Sequence, residues 1–245
     1  MRRKRSLLLA LLLVTLSCSV TTAQTSRRDA QDAIRRGNEK HAKAEYESAI
    51  GEYRRVAPGA GEAYAQSLYN IGVCYYELWR TEDAIDFYRR AIEAMKGRYP
   101  KAFFALGVAL KDLRRWPEAK EAFRQSIATS GGKYATAHYM LGLLSMGEGD
   151  DETAATLFRE AIARSKDHFP ASHNNLGVAL ARMGRLPEAK REFEAALRLS
   201  DGEFAEATHN LKLCRSLLAS LTKAQLASLK TVETTVRRLH YNFPL

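Results

Sequence analysis

From residue 30 onward the chain runs in short amphipathic blocks. Across residues 100–113 the apolar positions Phe103, Leu106, Leu110 and Leu113 fall three and four residues apart, the spacing of a single helical face. Trp116-Pro117-Glu118 then restarts the chain. Proline suits a first helical turn, where its missing N–H has no partner to lose, and an acid suits the positive end of the helix. Ala119, Phe123 and Ile127 form the stripe of a second helix, and Gly131-Gly132 ends it, because glycine takes the left-handed conformation that follows a helix at little cost. The pattern predicts a helix pair over residues 100–134.

The same pattern returns along the chain. Residues 176–197 match residues 106–127 at eleven of 22 positions. Gly37, Gly72, Gly107, Gly142 and Gly177 stand 35 residues apart, as do Ala49, Ala84, Ala119, Ala154 and Ala189. Two aromatic series keep the same period: Tyr53, Tyr88, Phe123, Phe158 and Phe193, and Tyr64, Tyr99, Tyr134, Phe169 and Phe204. Gly97, Gly132 and Gly202 hold the stop after the second helix, with Asp167 in the remaining slot. A glycine inside a helix costs roughly 1 kcal/mol relative to alanine, so its recurrence implies a close approach of backbones. The glycine of the first helix and the alanine of the second let the pair pack tightly, and the aromatic one turn after the alanine fills the space beside them. A lone pair cannot bury its faces, so the units are expected to stack in a row.

Leu106-Gly107, Leu110, Ala119 and Phe123, and again Leu176-Gly177, Leu180, Ala189 and Phe193, resemble the hallmarks of the tetratricopeptide repeat (TPR). The resemblance implies an all-α, right-handed superhelical solenoid. Five clear units span 30–64, 65–99, 100–134, 135–169 and 170–204, after a short linker at 24–29. Residues 205–245 resemble a degenerate sixth repeat and C-terminal capping helix, in which Lys212 takes the glycine position, Ala224 keeps the alanine register and Ser228 replaces the aromatic. The family usually repeats every 34 residues, and the extra residue here is expected in the turn between units.

In such a stack the first helices line the concave side, and the face opposite their core stripe is the expected binding groove. Its positions read Ile34, Tyr69, Phe104, Tyr139 and Asn174 in one register, and Asn38, Val73, Val108, Leu143 and Val178 in another. A third adds Asn70, Asn175 and Asn210, and Tyr76 completes the set. Aromatic groups away from the core serve as anchors, and asparagine, with a donor and an acceptor, can hold an extended backbone. In some TPR proteins asparagines equivalent to Asn70, Asn175 and Asn210 do so. A Lys/Asn/Arg clamp for a terminal carboxylate, used by others, is not expected, because Ile34, Tyr69 and Phe104 occupy its places. The competing reading is that Tyr69, Phe104 and Tyr139 pack on one another. On the convex side Arg54, Arg89, Arg124 and Arg159 share a register, with acids such as Asp86 and Glu121 within one turn, as on a solvated helix face.

The formal charge of +10 would suit a nucleic-acid binder only if concentrated on one face. Residues 1–23 carry four of the 38 basic residues and no acid, which leaves a formal +6 spread among both signs. No nucleic-acid partner is expected. Arg2, Arg3, Lys4 and Arg5 precede an apolar run from Leu7 to Leu16 and the small residues Thr21-Thr22-Ala23, which reads as an export signal with Gln24 as the first mature residue. The run is shorter than the roughly 20 residues of a membrane span. An uncleaved anchor and lipidation of Cys18 are the other two readings, and membrane attachment depends on one of them. Either way the expected location is the periplasm or the outside of the cell.

Cys74 and Cys214 share a repeat position four units apart. Helices about 10 Å wide would set them too far apart for a disulfide, which needs Cα atoms roughly 5–6 Å apart, so semi-buried thiols are expected and an intermolecular bridge is the alternative. His138 and His173 share a register that Leu68 and Phe103 fill in earlier units, so they are expected to be hydrogen-bonded packing residues rather than metal ligands. No zinc, phosphate-loop or nucleophile–base motif is present, and neither cofactor nor catalysis is expected. The C-terminal stretch from Thr222 carries an apolar stripe of Leu226, Leu229, Val232, Val236 and Leu239, suited to closing the stack or to docking a partner helix. The functional expectation is an exported, non-enzymatic scaffold that binds a protein or extended peptide. The alternatives are an envelope assembly factor, similar in architecture to the lipoproteins that assist pilus secretins, and an enzyme's recognition subunit.

Overall fold

The structure, a computed structural model, describes residues 27–166 and 168–220. The export-signal pattern with Cys18, the stop position Asp167 and the C-terminal apolar stripe lie outside the described residues. All of the regular structure described is helical. Helix α1 covers 27–42, and α2 covers Tyr46–Tyr53. A short 3₁₀ turn at Pro58–Ala60 precedes α3 (Glu62–Glu77) and α4 (Thr81–Ala94). Then follow α5 (Pro100–Asp112), α6 (Trp116–Thr129), α7 (Ala135–Gly147), α8 (Asp151–Arg164), α9 (Pro170–Arg182), α10 (Leu186–Leu199) and α11 (Ala205–Ser220). The helix starts at Thr81, Trp116, Asp151 and Leu186, and those at Pro100, Ala135, Pro170 and Ala205, each recur at 35 residues. Contacts divide the chain into two compact units, up to Ala109 and from Leu110, so the boundary falls inside α5.

Within the first unit, α3 packs against α2 and α4. The close approach expected of the repeated glycines is present. A methyl carbon placed on Gly72 would lie 2.7 Å from the Tyr88 ring and 3.3 Å from the Ala84 carbonyl oxygen, and one on Gly37 would strike the Tyr53 ring. Both rings are about 1% exposed, so neither can retreat. In the second unit each helix meets its chain neighbours, and the alternate helices α7, α9 and α11 also touch. Gly142 lies under Phe158 and Gly177 under Phe193 in the same way, at 2.8 and 2.6 Å.

The turn inside each pair is one motif used five times. Residues 44, 79, 114, 149 and 184 all have positive φ, and the next amide returns to a carbonyl five residues back, as in Arg80 N–H to Tyr75 O and Arg185 N–H to Leu180 O, both 2.9 Å. This six-residue closure is the Schellman stop. Glycine fills the left-handed position at 149 and 184, but Ala44, Trp79 and Arg114 fill it earlier. Each of these costs on the order of 1 kcal/mol.

Candidate functional site

Helices α1, α3 and the start of α5 carry the groove residues of the first unit, and α7, α9 and α11 carry those of the second. The structure buries eleven of the fourteen and leaves Asn38, Tyr69 and Leu143 partly open. Tyr139 is fully enclosed, with its ring against Phe158 and Phe169 at centroid distances of 5.8 and 4.7 Å. Tyr69 lies against Tyr88 and Tyr99 at 5.8 and 5.6 Å. Phe104, Val73, Tyr76, Val108 and Val178 are also buried. For Tyr139 the expectation of a groove wall is therefore corrected. Small residues at the helix contacts bring the aromatic rows together, and burying a ring is worth more than leaving it wet.

The asparagines follow the same logic. Asn174, Asn175 and Asn210 are each fully buried. Asn210 Nδ2 donates to Asn174 Oδ1 at 2.9 Å, Asn174 Nδ2 donates to Asn175 Oδ1 at 3.0 Å, and Asn175 Nδ2 donates to the Tyr139 hydroxyl at 3.2 Å. These amides are occupied by the protein, forming a polar ladder through α7, α9 and α11. Their pairing was readable in the sequence at one residue more than the period: 139 with 175, and 174 with 210.

In the first unit part of the predicted face borders a cleft. A cleft of about 930 Å³ runs between α1 and the start of α3. Ile34, Asn38 and Ala42 line it from α1, and Ala60, Ala63 and Gln66 line it from across. Asn38 is held from behind. Its Oδ1 accepts from the Tyr53 hydroxyl at 2.7 Å and from Asn70 Nδ2 at 3.3 Å. Burial pushes the Tyr53 phenol well above its ordinary range, so it stays protonated and donates. Asn38 thus lines the cleft with its oxygen already held by these two partners. Arg35 at the rim is already paired with Asp32 and Glu39. Gln66 and Ala63 were not among the expected site residues. They enter because the 3₁₀ turn brings the start of α3 alongside α1.

The remaining polar candidates are structural. His138 Nε2 lies 3.1 Å from the Gly132 carbonyl, and His173 Nδ1 lies 2.8 Å from Glu192 Oε2. Cys74 and Cys214 are buried free thiols. Burial pushes the Cys74 thiol up to about 12, far from the thiolate a nucleophile needs, and Cys214 Sγ donates to the Leu186 carbonyl at 3.3 Å. Arg54, Arg89, Arg124 and Arg159 are exposed. Among the described residues no helix is long and apolar enough to cross a membrane.

Models described as tetratricopeptide repeat match residues 65–98, 104–169 and 170–203, together more than half of the chain. No curated protein matches. Among solved structures, a MamA protein is 25% identical over 67% of this chain and 94% of its own, with a TM-score of 0.59. Pseudomonas aeruginosa pilF is 16% identical over 89% and 95%, with a TM-score of 0.66. YrrB, described as a TPR protein with an unusual peptide-binding site, is 20% identical over 79% and 97%, with a TM-score of 0.59. These likenesses are of fold.

Proposed function

The chain belongs to the tetratricopeptide-repeat family, and from that premise we propose an exported scaffold that holds an extended segment of a partner protein beside its first helices, without catalysis of its own. Proteins of this family generally serve as interaction scaffolds. The observation that carries the finer reading is the Asn38 amide, clamped through its oxygen by Tyr53 and Asn70 and lining an open cleft beside Ile34. A fixed side-chain donor next to an apolar wall is what an extended backbone with one apolar side chain requires. The amide meets a carbonyl of the segment, Ile34 with Ala63 receives the side chain, and Gln66 supplies a second amide across the cleft. Export is supported by the basic and apolar pattern of residues 2–16.

The test is selection from a displayed library of random peptides, followed by affinity measurement on Asn38→Asp, which keeps the oxygen that Tyr53 and Asn70 hold and removes the N–H₂ donor, and on Gln66→Ala. Peptides that bind wild type should lose at least tenfold in affinity on both variants while circular dichroism stays unchanged. Equal binding to all three proteins would remove the cleft from consideration.

A further inference from the structure

A second cavity, lined by other residues, comes from an irregularity of the first repeat. Helices α4, α6, α8 and α10 each have 14 residues, whereas α2 has eight. The chain leaves the helix at Arg54, and Pro58 then enters the 3₁₀ turn. Gly61 follows with φ 62° and ψ −121°, a conformation open in practice only to glycine. The equivalent residues one repeat later, around Ala91, continue as helix. The missing turns of α2 leave a notch of about 320 Å³ over α3. Tyr53, Leu68 and Ile71 form its apolar floor, and Tyr64 and Phe87 its walls.

Two cations stand at this notch, Arg54 and Arg90. The Arg54 guanidinium donates Nη2 to the Tyr75 hydroxyl at 2.9 Å, and the Arg90 guanidinium lies over the Phe87 ring at 4.7 Å from its centroid. Among the described residues neither has a carboxylate within ion-pair distance, although most neighbouring arginines do: Arg36 and Arg55 pair with Glu52, and Arg80 with Asp83. Both are held by aromatic groups that leave their charge uncompensated. Tyr75, stacked on Phe87 at 5.3 Å and covered by Arg80 at 4.6 Å, fixes the arrangement from behind.

We propose that this notch is a binding site for a small amphiphilic carboxylate, an organic acid whose apolar body fills the space over Leu68 and Ile71 while its carboxylate lies between Arg54 and Arg90. The volume is at the lower end of small-ligand sites, which run from about 300 Å³. Guanidinium and carboxylate match in planar geometry and charge. The acid can be a free molecule or the acidic and aromatic groups of a polypeptide, and the two are separable by experiment.

The test is a chemical-shift titration of isotopically labelled protein with 4-phenylbutyrate, with the uncharged 4-phenylbutanamide, and with the dipeptide acetyl-Glu-Phe-amide. The expected result is shift changes confined to Tyr64, Leu68, Ile71 and Phe87, with the acid binding roughly tenfold more tightly than the amide, as for a charge-assisted hydrogen bond. Arg54→Gln with Arg90→Gln should erase that difference. Both side chains are exposed, so the fold is not at risk. Stronger binding of the dipeptide than of the free acid would assign the polypeptide source, and the reverse would assign the free acid. Equal affinity for acid and amide, shifts elsewhere, no shifts, or unchanged discrimination in the double variant would overturn the proposal. Because the residues do not overlap Ile34, Asn38 or Gln66, its failure leaves the peptide cleft untouched.

Discussion

At the scale of single residues, the same substitution should have opposite effects at two glycines. A Cβ at Gly72 would meet the Tyr88 ring at 2.7 Å and the Ala84 carbonyl oxygen at 3.3 Å, whereas at Gly51 in α2 nothing lies within 4 Å. Gly72→Ala should therefore destabilise by about 1–2 kcal/mol, the overpacking cost outweighing the gain in helix propensity. Gly51→Ala should stabilise by about 0.5–1 kcal/mol through propensity alone. Urea unfolding of both variants gives the comparison, and a neutral Gly72→Ala would break the packing argument. His41 offers a second residue-scale check. Burial lowers its pKa below the ordinary 6.5, against an opposing effect from Glu77, and its ring meets Tyr46 edge-on at 5.4 Å. The unfolded chain thus takes up a proton that the folded chain resists. The contribution is intact above pH about 6.5 and is lost as pH falls below it. His41→Phe keeps an aromatic ring against Tyr46 and cannot titrate, so its stability relative to wild type should rise as pH falls from 7 to 5.

Helices and their pairing were legible because a strict period multiplies weak signals. One glycine in one helix says little, but five at equal spacing require a backbone contact, and the rings of Tyr88, Phe158 and Phe193 lie where that contact demands. The candidate site was less legible. Helical periodicity tells which residues share a face; it does not tell how closely the next helix covers that face. Tyr139 and Asn175 sit on the predicted groove side, yet they bond to each other at 3.2 Å and are fully buried. Pro58, Gly59 and Gly61 mark a break in the chain after α2, but the shapes of the cleft and the notch depend on where the following turn settles. At this scale the asparagine ladder is the element to test. Asn174→Ala removes two buried hydrogen bonds and should cost about 2–3 kcal/mol. A double-mutant cycle with Asn210→Ala should give a coupling of about 0.5–3 kcal/mol, and additive effects would mean that the 2.9 Å contact contributes nothing of its own.

For the whole molecule, charge and destination hang together. The chain carries a formal +10, of which four positive charges fall in residues 2–5, ahead of the apolar run from Leu7 to Leu16. If these residues serve only to direct export, the working protein is the more balanced remainder, beginning at Gln24, ahead of the described part of α1. Cleavage there spares every helix described, and in particular leaves Ile34 and Asn38 on an intact α1. The expected outcome is therefore an intact mass, for full-length protein expressed in a host with a cell envelope, that corresponds to residues 24–245, recovered from the periplasmic fraction. A mass carrying acyl groups on Cys18 would instead place the protein on a membrane surface and favour a role in envelope assembly. A mass retaining Met1 in the cytoplasm would remove export, and the scaffold would then have to find its partner segment inside the cell.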